Sequence, residues 1–573
     1  MAGITDFINQ YGMHFYLYYA IFLFILFALF LFLNVREIKK HVKVKKKWAL
    51  SLVFVLASFL LAELILVKPT IQVYKDEYIE MSIAKAIIYN HEVGICSFNF
   101  GEKCMSDGIG LFQQSVGWPF MLSIPFFIFG VSFSTAYNFT LLIASISIVL
   151  VFLVSYLITS DPKAAILSAV FMAFTPLFMT FARSTTLDVN AGMFFLFTLF
   201  SLLLYIKNLK MKTGFFAIAT AAFSMLMRIE MGIFIPVLLA LVSLPNLGLF
   251  SKKKVLSDVM ILAGVFFLIA APQFAFIYNS NAENGFGAPN NVKFSYTYFH
   301  NYIYNNTIFW LGALSSVNNY GYTFHDEWPL AYTILAVIGG IYLLKKSKKL
   351  LFSLAAYFFF VFFFFTSFYA GGAIIQLGVN MRYYIDDFAI VAIFAGIGAV
   401  YLSKKIGALI HKKTELVILF VLAAALFMPA IYIKEIVAQN PSNIYPFAAD
   451  REELNVIESV ASQIPNKCIV LSYDPQVWYL LNKSSMFADW FIVSKSYREQ
   501  ALNLSNKCLY FQYSTACLGF APYPNGTNVY CGKIVNETNM SPLVEEPFNK
   551  FGWNFTIGIY RITGFKNGTT FAK

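Results

Sequence analysis

Apolar runs of about twenty residues recur along most of this chain, and nothing constrains its fold more. A helix of that length crosses the ~30 Å hydrocarbon core of a bilayer, where every backbone polar group must be satisfied internally. The runs place membrane spans near residues 13–34, 48–67, 132–157, 163–182, 189–206, 213–229, 231–247, 256–278, 328–344, 350–369, 383–402 and 414–434. The expected fold class is a polytopic α-helical membrane protein of about twelve spans. Composition agrees: 13% of residues are charged and 59% are hydrophobic, against about 25% charged in ordinary soluble domains. Ala2 to Gln10 carries almost no positive charge and the first run is long enough to span, so no cleavable signal peptide is expected.

The formal net charge of +12 does not mark a nucleic-acid binder, because the lysines cluster in short turns between apolar runs. Arg36 to Lys47, Lys207 to Lys212, Lys252 to Lys254, Lys345 to Lys349, and Lys404-Lys405 with Lys412-Lys413 all fall on one side if the spans alternate. Cytoplasmic loops carry such an excess of Lys and Arg. The loops 68–131 and 279–327 and everything after 435 then face out. Cysteine placement points the same way. Cys96, Cys104, Cys468, Cys508, Cys517 and Cys531 all lie in outward segments, and disulfides persist in oxidising compartments. One bridge is expected within the first outer loop, Cys96–Cys104, and two among the four later cysteines, with three connectivities open. Asn-x-Ser/Thr acceptors occur at Asn305, Asn482, Asn503, Asn525, Asn536, Asn539, Asn554 and Asn567, again in outward segments; Asn138 also matches but lies within a span.

Three parts are expected. Residues 1–47 hold an extra N-terminal span and a basic loop, 48–439 the membrane core, and 440–573 an extracytoplasmic domain of α/β or α+β type. In that tail Arg451 to Gln463 has helical periodicity. Cys468 to Ser472, Cys508 to Tyr513 and Ile557 to Ile562 read as strands. The chain carries no Walker, Rossmann, zinc-protease or serine-elbow motif.

Chemistry-bearing residues gather at the outward ends of the spans. Asp76 and Glu77 stand where the chain leaves the membrane after the run Trp48 to Val67. Arg183 and Asp188, Arg228 and Glu230, and Arg382 with Asp386 and Asp387 lie at other outward ends. Ionisable groups at membrane depth are costly, so they pair or serve a function. Local pairing of Arg183 with Asp188, Arg228 with Glu230 and Arg382 with Asp386 is one reading; a shared site is the other, and it accounts for their gathering on one face. His91 near Glu92, Glu102 and Asp107 has no recognised metal-ligand spacing.

The order of these pieces resembles the GT-C polytopic glycosyltransferases, in particular the branch of protein O-mannosyltransferases and lipid A aminoarabinose transferases. A span leads into Asp76-Glu77 and an amphipathic stretch, Glu80 to Asn90. Gly117-Trp118-Pro119 follows with a half-length apolar segment ending at Gly130. Then come Phe181 to Asp188, Met227-Arg228-Ile229-Glu230-Met231-Gly232 and Met381-Arg382-Tyr383-Tyr384. The likeness covers about 48–434. Where family members often carry Pro after the Arg-Tyr motif, this chain has Asp386-Asp387.

That resemblance implies an enzyme moving a sugar from a polyprenyl phosphate, such as dolichyl phosphate, to a hydroxyl of a protein, glycan or lipid, with inversion. Asp76 is then the base and Glu77 a catalytic partner. Arg183, Asp188, Arg228, Arg382 and Tyr383 are the substrate-binding candidates. Guanidinium groups suit the phosphate because they grip its oxygens bidentately. No cofactor is expected. A divalent ion on the acidic pair would suit an oligosaccharyltransferase of this fold class, but the Trp-Trp-Asp signature of those enzymes is absent. The rival reading is a transporter or flippase of lipid-linked sugars, which would place polar groups at mid-span and show two related halves.

Overall fold

The structure, a computed structural model, describes residues 2–67, 76–105, 109–110, 115–247, 253–283, 294–311, 316–317, 323–324, 328–368, 379–411, 413–438, 447–514, 517, 529–550 and 553–566. The apolar runs form α1 (Ala2–His41), α2 (Lys46–Leu66), α3 (Asp76–Asn90), α4 (Gly117–Phe129), α5 (Phe133–Thr159), α6 (Pro162–Ala173), α7 (Pro176–Ala182) and α8 (Leu187–Asn208). They continue with α9 (Met211–Ser224), α10 (Met231–Asn246), α11 (Lys253–Glu283), α12 (Tyr296–Trp310), α13 (Leu330–Lys346), α14 (Lys348–Thr366), α15 (Ile385–Leu409) and α16 (Thr414–Ala438).

Each of the twelve expected spans falls on a helix, but the helices are not alike. Among the described residues seven are long and apolar enough to cross a membrane, and α6 with α7 makes an eighth if that bent pair is one span. The protein is a multi-pass membrane protein. The 65° bend between α6 and α7 sits at Thr175-Pro176, where proline removes a backbone donor and crowds the preceding turn. Helices α9, α10 and α13 have 14, 16 and 17 residues. At 1.5 Å per residue the first covers only ~21 Å. The turn 225–230 between α9 and α10 therefore begins short of a full crossing, and Arg228 lies in it.

The most central helices are α8 and α15, with 89% of the span window buried in each; α2 has 17% and turns most of its surface outward. Close approach of α13 to α15 depends on paired glycines. A Cβ on Gly339 would overlap the carbonyl of Phe394, and one on Gly398 the carbonyl of Leu335, the small-residue contact common between membrane helices. Trp310, Trp328, Tyr384 and Phe388 pack on one another beside them, with Trp310 and Trp328 ring centres 4.7 Å apart. This aromatic block fixes the 3₁₀ turn Val379–Tyr384 at the head of α15.

The C-terminal helices are α17 (Phe447–Ala461), α18 (Pro475–Leu480), α19 (Ala488–Val493), α20 (Lys495–Leu504) and α21 (Val529–Glu537). They accompany a seven-stranded mixed sheet that residues 440–573 do not build alone. In chain order the strands are β1 (Ile95–Cys96), β2 (Phe98–Phe100), β3 (Lys103–Cys104), β4 (Ile109–Gly110), β5 (Ser316–Val317), β6 (Thr323–Phe324), β7 (Ile469–Ser472), β8 (Ser484–Phe487), β9 (Leu509–Tyr513), β10 (Thr538–Lys550) and β11 (Trp553–Phe565). The sheet order is β10-β11-β9-β7-β8-β2-β3. Strand β7 runs parallel to β8 and β9, while β2 joins β8 antiparallel through Phe98–Met486 and Asn99–Ser485. Phe98 is fully buried in the apolar cluster of Ile469, Leu471, Met486 and Phe511. The first outer loop thus supplies one edge of the C-terminal sheet.

Three disulfides are formed: Cys96–Cys104, Cys468–Cys508 and Cys517–Cys531. The first is the bridge expected in the first outer loop, and it brackets the β2–β3 hairpin. The second ties the residue before β7 to the one before β9, its parallel neighbour, and the third closes a 14-residue separation. Asn482, Asn503, Asn536 and Asn539 are exposed; the side chains of Asn305, Asn525, Asn554 and Asn567 lie outside the described residues.

Candidate active site

Asp76 is the first residue of α3, and Arg382 stands in the 3₁₀ turn before α15. The two meet across 306 residues of sequence, Arg382 Nη2 donating to Asp76 Oδ2 at 3.1 Å. From there charges alternate inward. Arg382 Nε lies 3.5 Å from Asp188 Oδ2, Asp188 Oδ1 lies 3.3 Å from Arg228 Nη1, and Arg228 Nε lies 3.0 Å from Glu230 Oε2. The shared cluster is therefore the arrangement present. Only the Arg228–Glu230 pair of the local reading is formed, and it forms within the cluster. Arg382 turns to Asp76 and Asp188 rather than Asp386, which accepts instead from the Tyr357 hydroxyl at 3.3 Å.

Burial grades along this line of charges. The Asp188 side chain is 1% exposed, Arg228 4%, Arg382 9% and Asp76 35%. Asp76 is the end open to an incoming group. The Tyr383 ring sits beside both guanidinium groups, 4.6 Å from Arg228 and 5.2 Å from Arg382, and it stacks on Phe365. Aromatic faces of this kind hold a guanidinium flat without occupying its N–H groups. Among the described residues Arg228 Nη2 and Arg382 Nε have no hydrogen-bond partner. Buried donors are otherwise almost always matched.

Glu77 and Arg183 both hydrogen-bond backbone groups. Glu77 is buried, and its Oε2 accepts from the backbone N–H and hydroxyl of Thr185 at 2.7 and 2.8 Å. The Trp118 indole donates to the Thr185 carbonyl at 2.6 Å. Thr185 is thus gripped from both sides, three residues before Asp188 at the head of α8. Gly117 allows this grip: its N–H donates to the Leu226 carbonyl, and a Cβ there would come within 2.6 Å of that oxygen. Arg183, expected to bind substrate, caps the end of α2 by donating to the Glu63 and Val67 carbonyls at 3.1 and 2.7 Å.

Three acidic groups that the sequence reading left without a role lie buried nearby. Asp387 follows Asp386 on α15, and Glu63 lies inside α2; neither carboxyl has a hydrogen-bond partner among the described residues. Glu80 is 1% exposed, one helical turn beyond Asp76. Its signal in the sequence was the four-residue spacing from Asp76, which sets two carboxyls on one helix face. Among the described residues no group of three or more His, Cys, Asp or Glu side chains is placed to hold a metal ion.

The sequence model of the dolichyl-phosphate-mannose-protein mannosyltransferases matches residues 113–275. No curated protein matches the chain. Among solved structures, ArnT from Cupriavidus metallidurans bound to undecaprenyl phosphate aligns with a TM-score of 0.58 at 11% identity, covering 91% of this chain and 99% of that one. Its apo state gives 0.56 at 10% identity over 89% and 97%. The Archaeoglobus fulgidus oligosaccharyltransferase, tethered with an acceptor peptide containing a sequon, gives 0.51 at 12% identity over 89% and 74%. The chain therefore has the GT-C fold of the polytopic membrane glycosyltransferases, and over residues 113–275 it resembles the dolichyl-phosphate-mannose-protein mannosyltransferases.

Proposed function

We propose that this protein transfers a sugar from a polyprenyl-phosphate carrier to a hydroxyl group, with inversion. The observation that carries the reading is the line Asp76–Arg382–Asp188–Arg228. It joins a half-open carboxylate to two buried guanidinium groups with unfilled donors. The donor's phosphate takes those N–H groups, and its chain runs into the bilayer between the helices. Asp76, at the open end, meets the acceptor. The acceptor oxygen attacks the anomeric carbon as Asp76 takes its proton. The bond from that carbon to the phosphate oxygen breaks, and the electron pair leaves with the phosphate. Arg228 and Arg382 stabilise the charge that gathers there. No cofactor enters the step. A relative in fold holds undecaprenyl phosphate and another an acceptor peptide, which supports a lipid-borne donor and a polypeptide among the candidate acceptors.

The same reading places the site and the C-terminal sheet on the extracytoplasmic side. The disulfides and the exposed acceptor asparagines support that side, as do the basic turns at the other ends of the spans.

Purified protein in lipid, given polyprenyl-phosphate sugars and a panel of Ser/Thr peptides, glycans and lipids, tests the proposal. Mass spectrometry should find a sugar added to one acceptor, and NMR should find its anomeric configuration inverted. Movement of lipid-linked sugar across a vesicle with no donor consumed would favour the transporter instead.

A further inference from the structure

Glu80 is buried beside the base, and neither of its carboxyl oxygens has a hydrogen-bond partner among the described residues. It sits four residues after Asp76 on α3, so the two Cβ atoms are about 5–6 Å apart on one face. That is a distance two carboxyl groups bridge with one shared hydrogen. The charged groups acting on Glu80 are Asp76 on its own helix, Asp188 on α8 and Arg382 before α15. An ionised carboxylate at this depth, next to two others, is strongly disfavoured. Burial accordingly holds the Glu80 carboxyl well above the usual carboxylate range, with Asp76 and Asp188 adding to the rise and Arg382 opposing it.

In the resting site Asp76 is held by Arg382. A donor phosphate claims the same guanidinium, and Asp76 then loses its partner at the moment it must act. We propose that Glu80 is a positioning residue that takes over from Arg382: its carboxylic O–H donates to Asp76 once phosphate engages the arginine, and so aims the base at the acceptor. This rests on the glycosyl-transfer reading above. Glu80 keeps its proton through the step, while the acceptor's proton ends on Asp76 and leaves through its exposed edge. The chain thus has a hand-over of the base from a cation to a neutral acid, triggered by the donor.

The test compares Glu80→Gln and Glu80→Leu with the wild type in the purified transfer assay, across pH 6 to 10. Glu80→Leu should lower kcat by about a hundredfold, as a misaimed group does, with the donor KM changed less than about threefold. Glu80→Gln should lose about three- to tenfold in kcat, because an amide N–H is a weaker donor than a carboxylic O–H. Wild-type kcat should fall as alkaline pH ionises Glu80, and the Glu80→Gln profile should lack that fall. Superimposable pH profiles for wild type and Glu80→Gln would overturn the proposal. So would equal losses in both variants, which would mean that an ionised carboxylate is required. Asp76→Asn, run alongside, separates the failures. If it keeps full activity the base assignment itself is wrong; if it is inactive while both Glu80 variants match the wild type, only the hand-over is wrong.

Discussion

The two ends of α3 carry buried charge in opposite conditions. At its start Asp76 joins a line of charges whose arginines still have unfilled donors. Two and a half turns on, Lys85 is fully buried and its ammonium is occupied by the protein. It donates to the Tyr479 carbonyl and to Asn482 Oδ1, both at 2.5 Å, and lies over the Tyr479 ring. At one end guanidinium donors have no hydrogen-bond partner among the described residues. The other is closed against the C-terminal sheet. What separates a working charge from a fastening one here is whether its hydrogen-bonding capacity is already filled, not how deeply it is buried.

That contrast can be broken most sharply at the open end. Asp76→Asn keeps the size and removes the base, so transfer should fall by about 10²–10⁴-fold with donor binding retained. A rate within threefold of wild type would sink the assignment. Next come Arg228→Ala and Arg382→Ala. Each removes a charged hydrogen bond worth about 1.5–3 kcal/mol, so the donor Kd should rise about ten- to hundredfold in a lipid-binding assay. Unchanged donor affinity in both would place the phosphate elsewhere.

At the closed end the readout is stability rather than chemistry. Burial pulls the Lys85 ammonium down to about 8, with Glu102 partly opposing it. Between that value and the ordinary ~10.4 of an unfolded lysine the unfolded chain holds the extra proton. Stability should therefore rise with pH across this window. Lys85→Met should abolish that rise in thermal unfolding while changing transfer by less than about tenfold. A rise that persists in Lys85→Met would show that another group causes it.

The smallest effect is expected at the other ends of the spans. There Glu37 takes contacts from Lys210 at 2.7 Å and Lys212 at 3.2 Å, both lysines being more than two-fifths exposed. The Glu37 side chain is itself buried, but pairs whose ammonium groups stay largely in water contribute little. Glu37→Gln should leave transfer within about twofold of wild type; a larger loss would mean that those turns are coupled to the site.

Hydropathy made the helices legible, because a span announces itself by length and composition without reference to its neighbours. It did not show the interruptions. Residues 163–182 read as one span, although Pro176 bends them, and 213–229 ran on through the turn that carries Arg228. The charges at the outward ends were visible as a group, since ions near a bilayer are few. Their pairing was not, because Asp76 and Arg382 are 306 residues apart and a carboxylate in sequence does not declare its partner. Glu80 was absorbed into an amphipathic stretch, where any polar residue looks solvent-facing. The edge strand β2 was hidden for a simpler reason: three residues are too few to show alternation, and its partner lies in the tail.

That shared sheet also sets a schedule. Asn99 and Ser485 are 386 residues apart, and ribosomes add about 5–20 residues per second. The β2–β3 hairpin must then wait on the order of 20–80 s for its neighbour to be made, its edge unpaired, with the Cys96–Cys104 bridge able to keep it closed. Until the C-terminal segment arrives, Lys85 lacks its two acceptors, the Tyr479 carbonyl and Asn482 Oδ1. A nascent chain would carry every membrane helix of the site while the buried ammonium on α3 still waited for the acceptors that only the last domain supplies.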